Sequence, residues 1–130
     1  MVVDTSAVIA ILFAEPMADR LEDAILGSPR PALSAASLAE ASIVALVRRD
    51  EPAERELDLL LARHRLQIVP VTEHHAGIAR EAYRQFGKGR HPAGLNFGDC
   101  FSYALARTLG EPLLFTGEDF SRTDVEVAPY

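Results

Sequence analysis

Short apolar runs alternate with longer amphipathic stretches along this chain. The run Met1-Val2-Val3 reads as a buried strand, Asp4-Thr5-Ser6 as the cap of a helix, and Ala7 to Phe13 as that helix's apolar body. Pro16 opens a second helix to about Leu26, stopped by Gly27-Ser28-Pro29. Leu33 marks a short second strand. Ser34 to Arg49 predicts an alanine-rich helix whose two terminal arginines suit its dipole, and Pro52 opens another to about His64. Leu66 to Val71, rich in β-branched residues, predicts a third strand. Thr72 caps a helix containing Ile78, Ala79, Ala82, Tyr83 and Phe86. Gly87 to Gly94 is a glycine-rich basic loop, expected to be mobile. Asn96, with Asp99 three residues on, caps a compact helix through Ala104-Leu105-Ala106. Gly110-Glu111-Pro112 ends it, Leu113-Leu114-Phe115 predicts a buried strand, and Val125 to Val127 a final edge strand.

Strands alternating with helices predict an α/β domain spanning 1–130, with a central, mostly parallel sheet of four to five short strands flanked by helices. Ligands of such sheets bind beyond the carboxyl ends of the strands. A chain of 130 residues is long enough to bury one ordinary core.

Composition removes some classes of function. No apolar run is long enough to cross a bilayer, and no basic segment precedes the first strand. A cytoplasmic protein without membrane contact is therefore expected. Cys100 is the only cysteine, which excludes an intrachain disulfide and argues against a thiolate zinc site. The net charge of −6 argues weakly against a nucleic-acid partner, although acids gathered around a metal would be offset by it.

Four acids stand out by position. Asp4 follows a strand and opens a helix; it suits a plain N-cap, and equally a metal ligand at the sheet's carboxyl edge. Glu40 has Ala36, Ser37, Ile43 and Val44 one turn away, so its carboxylate is poorly placed for water and calls for a cation or a hydrogen-bond network. Asp99 suits the helix dipole without any function, but Gly98 before it lets a ligand approach. Asp119 lies in Thr116-Gly117-Glu118-Asp119-Phe120, a polar turn in which Glu118 competes for the same role. Together the four converge on one edge of the predicted sheet. An all-oxygen set suits Mg²⁺ or Mn²⁺ rather than zinc.

Arg80, Arg84, Lys88, Arg90 and His91 cluster just before the Asp99 helix and suit the backbone of RNA. Tyr83, Phe86 and Phe97 are candidates for stacking on an unpaired base, with Tyr83 and Phe86 equally suited to the core of their helix. His64, His74 and His75 are expected at the surface, and Cys100 in the core.

Asp4-Thr5-Ser6 after a first strand, Glu40 in an alanine-rich helix, Gly98-Asp99 opening a helix and Thr116 to Asp119-Phe120 after a strand together resemble a PIN-domain ribonuclease. More narrowly, with Gly87-Lys88-Gly89-Arg90-His91 and Gly94-Leu95-Asn96-Phe97-Gly98-Asp99, the chain resembles the VapC toxins of type II toxin–antitoxin pairs. The resemblance implies a PIN fold and Mg²⁺- or Mn²⁺-dependent endoribonuclease activity. Asp4, Glu40, Asp99 and Asp119 would match the acidic quartet, with Asp4 and Asp99 nearest the metal and Glu40 and Asp119 acting through water or a second ion. Thr5, Ser6 and Thr116 would support them. It also implies a homodimer and a VapB-like antitoxin as partner. Two other readings compete. A phospho-receiver domain would want paired acids after the first strand and a lysine after a late one. A non-catalytic PIN-like module binding RNA or a partner would not need four carboxylates.

Overall fold

The computed structural model describes residues 1–130. Its elements in order are β1 (Val2–Val3), α1 (Thr5–Leu12), α2 (Ala18–Leu26), β2 (Ala32–Ser34), α3 (Ala35–Arg63), β3 (Gln67–Val69), α4 (Glu73–Phe86), α5 (Phe97–Leu109) and β4 (Leu113–Leu114). The four strands form one parallel sheet in the order β3-β2-β1-β4.

Alternation along these short strands divides the interior in two. Val3, Leu33 and Leu114 point to one side, where they pack with α1, α2 and α3. Val2, Ala32 and Leu113 point to the other, against α4 and α5. A parallel sheet covered on both faces has no polar side, which is why its strands read as continuous apolar runs.

Several boundaries differ from the expectations. Pro16 lies in the turn before α2, which begins at Ala18. The predicted helices Ser34 to Arg49 and Pro52 to His64 meet as two arms of α3, broken where Arg49 and Asp50 leave helical geometry and Asp50 takes φ 60°. The Asp50 carboxylate accepts from the Glu51 N–H at 2.9 Å and so caps the second arm. The third strand keeps only Gln67–Val69 of the expected Leu66 to Val71. Val125 to Val127 does not form an edge strand: the C-terminal segment makes one parallel bridge, Leu113 to Val127, and then turns away.

Two histidines expected at the surface are buried. His64 ends α3 with Nδ1 2.9 Å from the Leu60 carbonyl and Nε2 2.7 Å from Oε1 of Glu22 on α2. His75 belongs to a reciprocal cap with Thr72 at the start of α4. His74 is exposed as expected.

Candidate active site

Asp4 ends the central strand β1 and is 3% exposed. Three donors hold it. The Ser6 N–H and Ser6 Oγ both reach Oδ2, at 2.9 and 2.7 Å, and Ser102 Oγ donates to Oδ1 at 2.6 Å. Ser6 Oγ in turn accepts from the Thr116 N–H at 3.1 Å, which ties the end of β4 to the start of α1. Thr116 thus enters through its backbone, not its hydroxyl. Thr5 Oγ1 donates to the Ser37 carbonyl at 3.3 Å and fastens α1 to α3.

Asp99 opens α5 inside a reciprocal cap: its Oδ2 accepts from the Asn96 N–H at 2.8 Å, and Asn96 Oδ1 accepts from the Asp99 N–H at 2.9 Å. Burial pushes its carboxyl group up to about 7. The negative charges of Asp4, Asp119 and Glu40 add to the rise, and the Asn96 N–H opposes it. Asp99 thus feels the charge of each of the other three acids.

Glu40, on the first arm of α3, is half-buried. The apolar helix face expected to confine it is open, since Ile43 is 61% exposed. Its confinement comes from α5: a Cβ on Gly98 would lie 1.8 Å from Glu40 Oε2 and 2.6 Å from Cδ. Asp119 is exposed on the turn after β4. Glu118, its rival, pairs with Arg122 at 3.1 Å.

This arrangement fits a hard divalent cation. The four acids offer only oxygen donors, and the Asp99 carboxyl, weakened as an acid by burial and by three neighbouring negative charges, is in a condition that a bound cation would relieve. No three His, Cys, Asp or Glu side chains close on a single point. Cys100 is buried, and burial pushes its thiol up to about 11, as befits a core residue and not a nucleophile.

Beside the acids lies a groove of about 860 Å³ between α4 and the start of α5. Ala76, Ala79, Cys100 and Phe101 contribute to its apolar lining, and Arg80, Arg84, Lys88 and Arg90 to its basic one. Asn96 and Phe97 line it too, three and two residues before Asp99. Phe97 is 78% exposed, its ring edge-on to Phe101 at 5.0 Å. Phe86 instead packs on Tyr103, and the Tyr83 hydroxyl donates to the Lys88 carbonyl.

The 87–94 loop is not the open segment its glycines suggested. Lys88 N–H donates to Leu95 O and Leu95 N–H to Phe86 O, both at 2.9 Å, closing the loop at its base. Gly87 is a packing residue: a Cβ there would lie 2.3 Å from the Tyr83 carbonyl. Arg84 pairs with Glu81, and Arg90 Nε donates to the Arg84 carbonyl at 3.1 Å. His91 turns inward, its Nδ1 accepting from the Ala93 N–H at 3.0 Å and its ring edge-on to Phe86.

Sequence reasoning missed Ser37 and Ser102 as parts of the site. No local pattern announces a hydroxyl that meets its acid from 98 residues away, as Ser102 meets Asp4.

Comparison with known proteins agrees with this geometry. The PIN domain family matches residues 1–126. Ribonuclease VapC of Mycolicibacterium smegmatis is 55% identical over 125 residues, covering 96% of this chain and 97% of that protein. Ribonuclease VapC30 of Mycobacterium tuberculosis is 52% identical over 125 residues, covering 96% and 95%. Among solved structures, Mycobacterium tuberculosis VapC20, described as a sarcin–ricin loop cleaving toxin, superposes with a TM-score of 0.80 at 22% identity, over 98% of each chain. A toxin–antitoxin complex from Klebsiella pneumoniae does so at 0.76 and 18%, over 99% of this chain and 97% of that one. These two share the fold. PIN-domain nucleases depend in general on divalent metal. The chain belongs to the PIN-domain family and, within it, to the VapC ribonucleases.

Proposed function

We propose that this VapC ribonuclease hydrolyses RNA phosphodiester bonds with Mg²⁺ or Mn²⁺ held among Asp4, Glu40, Asp99 and Asp119. Asp4 and Asp99 are the direct ligands, and Glu40 and Asp119 act through water or a second ion. The observation that supports this reading is the Asp99 carboxyl, pushed up to about 7 by burial and further by the negative charges of Asp4, Asp119 and Glu40. An ion bound there supplies an acidic water as nucleophile and positive charge opposite the phosphodiester. The protein's part is to hold the carboxylates in place: Ser6 and Ser102 orient Asp4, Asn96 orients Asp99, and Gly98 makes room for Glu40.

Arg80, Arg84, Lys88 and Arg90 line the adjoining groove and offer charge to successive phosphates, while His91 braces the loop that presents two of them. The same reading gives the protein a VapB-like antitoxin as partner, supported by the toxin–antitoxin assembly among its structural relatives. It also gives a homodimer acting in the cytoplasm. No helix is long and apolar enough to cross a membrane.

The test is cleavage of mixed single-stranded and structured RNA in Mg²⁺, in Mn²⁺ and in EDTA, with Asp4→Asn and Asp99→Asn alongside. Metal-dependent cuts lost in both variants are expected. Cuts that persist in EDTA, or in either variant at the wild-type rate, would overturn the assignment.

A further inference from the structure

Behind the acids runs a line of buried hydroxyls. Ser37 Oγ lies 3.0 Å from Ser102 Oγ, and Ser102 Oγ lies 2.6 Å from Asp4 Oδ1. The three residues are 1%, 0% and 3% exposed. An ionised carboxylate only accepts, and a serine hydroxyl has one proton to give. Ser102 therefore gives its proton to Asp4 and accepts from Ser37, so donation runs one way, from Ser37 to Ser102 to Asp4.

Each member of this relay sits on an element that carries an acid. Ser37 precedes Glu40 by three residues on α3, Ser102 follows Asp99 by three on α5, and Asp4 ends β1. Residues three apart share a helix face, so the relay registers the Glu40, Asp99 and Asp4 elements against one another. It also adds the third hydrogen bond to Asp4. Ser6 occupies both acceptor positions of Oδ2, and Ser102 takes one on Oδ1. Of the roughly four acceptor positions a carboxylate offers, one on Oδ1 is left.

We propose that Ser102, backed by Ser37, is a positioning residue for metal binding: it fixes the rotation of the Asp4 carboxylate and reserves its one free acceptor position for the cation. Alanines would fill this dry spot as well as serines if packing were all that mattered; Ala104 and Ala106 do so nearby on α5. The inference rests on the metal-dependent reading above.

The test compares wild type, Ser102→Ala and Ser37→Ala by Mn²⁺ titration calorimetry, by melting in EDTA and by RNA cleavage. Ser102→Ala is expected to weaken Mn²⁺ binding about 10-fold or more, the range for removing a partner of a metal ligand. Ser37→Ala, which leaves the bond to Asp4 in place, weakens it less. Metal-free melting stays close to wild type in both, and kcat falls while KM for RNA holds. Wild-type Mn²⁺ affinity in folded Ser102→Ala overturns the proposal, as does a loss of affinity that only tracks a loss of metal-free stability. If Ser102→Ala does not fold, Ser37→Ala decides: affinity equal to wild type overturns it. A wild-type protein that binds no Mn²⁺ defeats the metal-dependent reading itself, and this proposal with it.

Discussion

Glu40 occupies the space that a side chain at residue 98 would fill. A Cβ on Gly98 would stand 1.8 Å from Oε2, closer than any non-bonded contact allows. The glycine is required by the carboxylate of another helix, not by its own backbone. Gly98→Ala removes no acid, yet it must push Glu40 or the start of α5 aside. A displacement of about 1 Å at a reacting centre costs about 100-fold in rate. We expect a loss of that order in kcat/KM for RNA cleavage, with the circular dichroism spectrum unchanged. Cleavage within a factor of two of wild type would show that Glu40 is free to move without consequence.

The weakened acidity of Asp99 has a sign that can be followed in stability. Its carboxyl group titrates at about 7 in the folded protein against an ordinary 3.8. Between those values the folded state keeps a proton that the unfolded state has released. Metal-free stability therefore falls as pH rises through that window, and the fall is complete above the folded value. In EDTA, the melting temperature should decline between about pH 5 and about pH 7.5. Asp99→Asn should flatten the decline. Mn²⁺ at the upper pH should restore wild type and leave the variant unchanged, because the cation takes the ionised form. A wild-type melting temperature independent of pH in EDTA would remove the basis for treating the four acids as one unit.

The basic side of the groove is tested by salt. Lys88→Ala with Arg90→Ala removes two exposed cations of the groove and none of the four acids. Each phosphate contact on single-stranded nucleic acid contributes about 0.7 to the slope of log affinity against log salt. The double variant should bind RNA more weakly, with a slope shallower by about 1 to 1.5. Mn²⁺ affinity should be unaffected. Unchanged cleavage and binding at every salt concentration would mean that RNA does not follow this groove.

Away from the site, His64 joins the end of α3 to α2 through Leu60 and Glu22, and its side chain is wholly buried. His64→Ala removes both bonds and leaves a cavity, which together cost about 2–4 kcal/mol. Chemical denaturation should register that loss, while RNA cleavage at room temperature stays near wild type because none of Asp4, Glu40, Asp99 and Asp119 lies on α2 or on the second arm of α3. A silent substitution would mean that Glu22 and Leu60 find other partners.

What could be read from the sequence followed how local the cause was. Asp4 and Asp99 were visible because each is a helix cap bonded within three residues of itself. The parallel sheet was visible because its strands are apolar on both faces. Signals that close over long distances were not. Glu40 was suspected, but for an apolar face that proved open; its true neighbour is Gly98, 58 residues away. Ser37 and Ser102 look like any small helix residues until the fold brings them to Asp4. His64 reads as a surface residue because Glu22 lies 42 positions earlier. Val125 to Val127 has strand composition but makes only one bridge, to Leu113.

Asn96 belongs to two neighbourhoods at once: it lines the groove, and its N–H holds Oδ2 of Asp99. A ligand pressing on Asn96 from one side alters the carboxylate on the other, and a charge arriving at that carboxylate alters Asn96. Equilibrium linkage makes such influence mutual and equal, so whatever factor the cation lends to RNA affinity, RNA returns to the affinity for the cation. With RNA in the groove and an ion at Asp99, as proposed above, the two would be linked ligands of one hydrogen-bonded turn, not independent visitors to adjacent pockets.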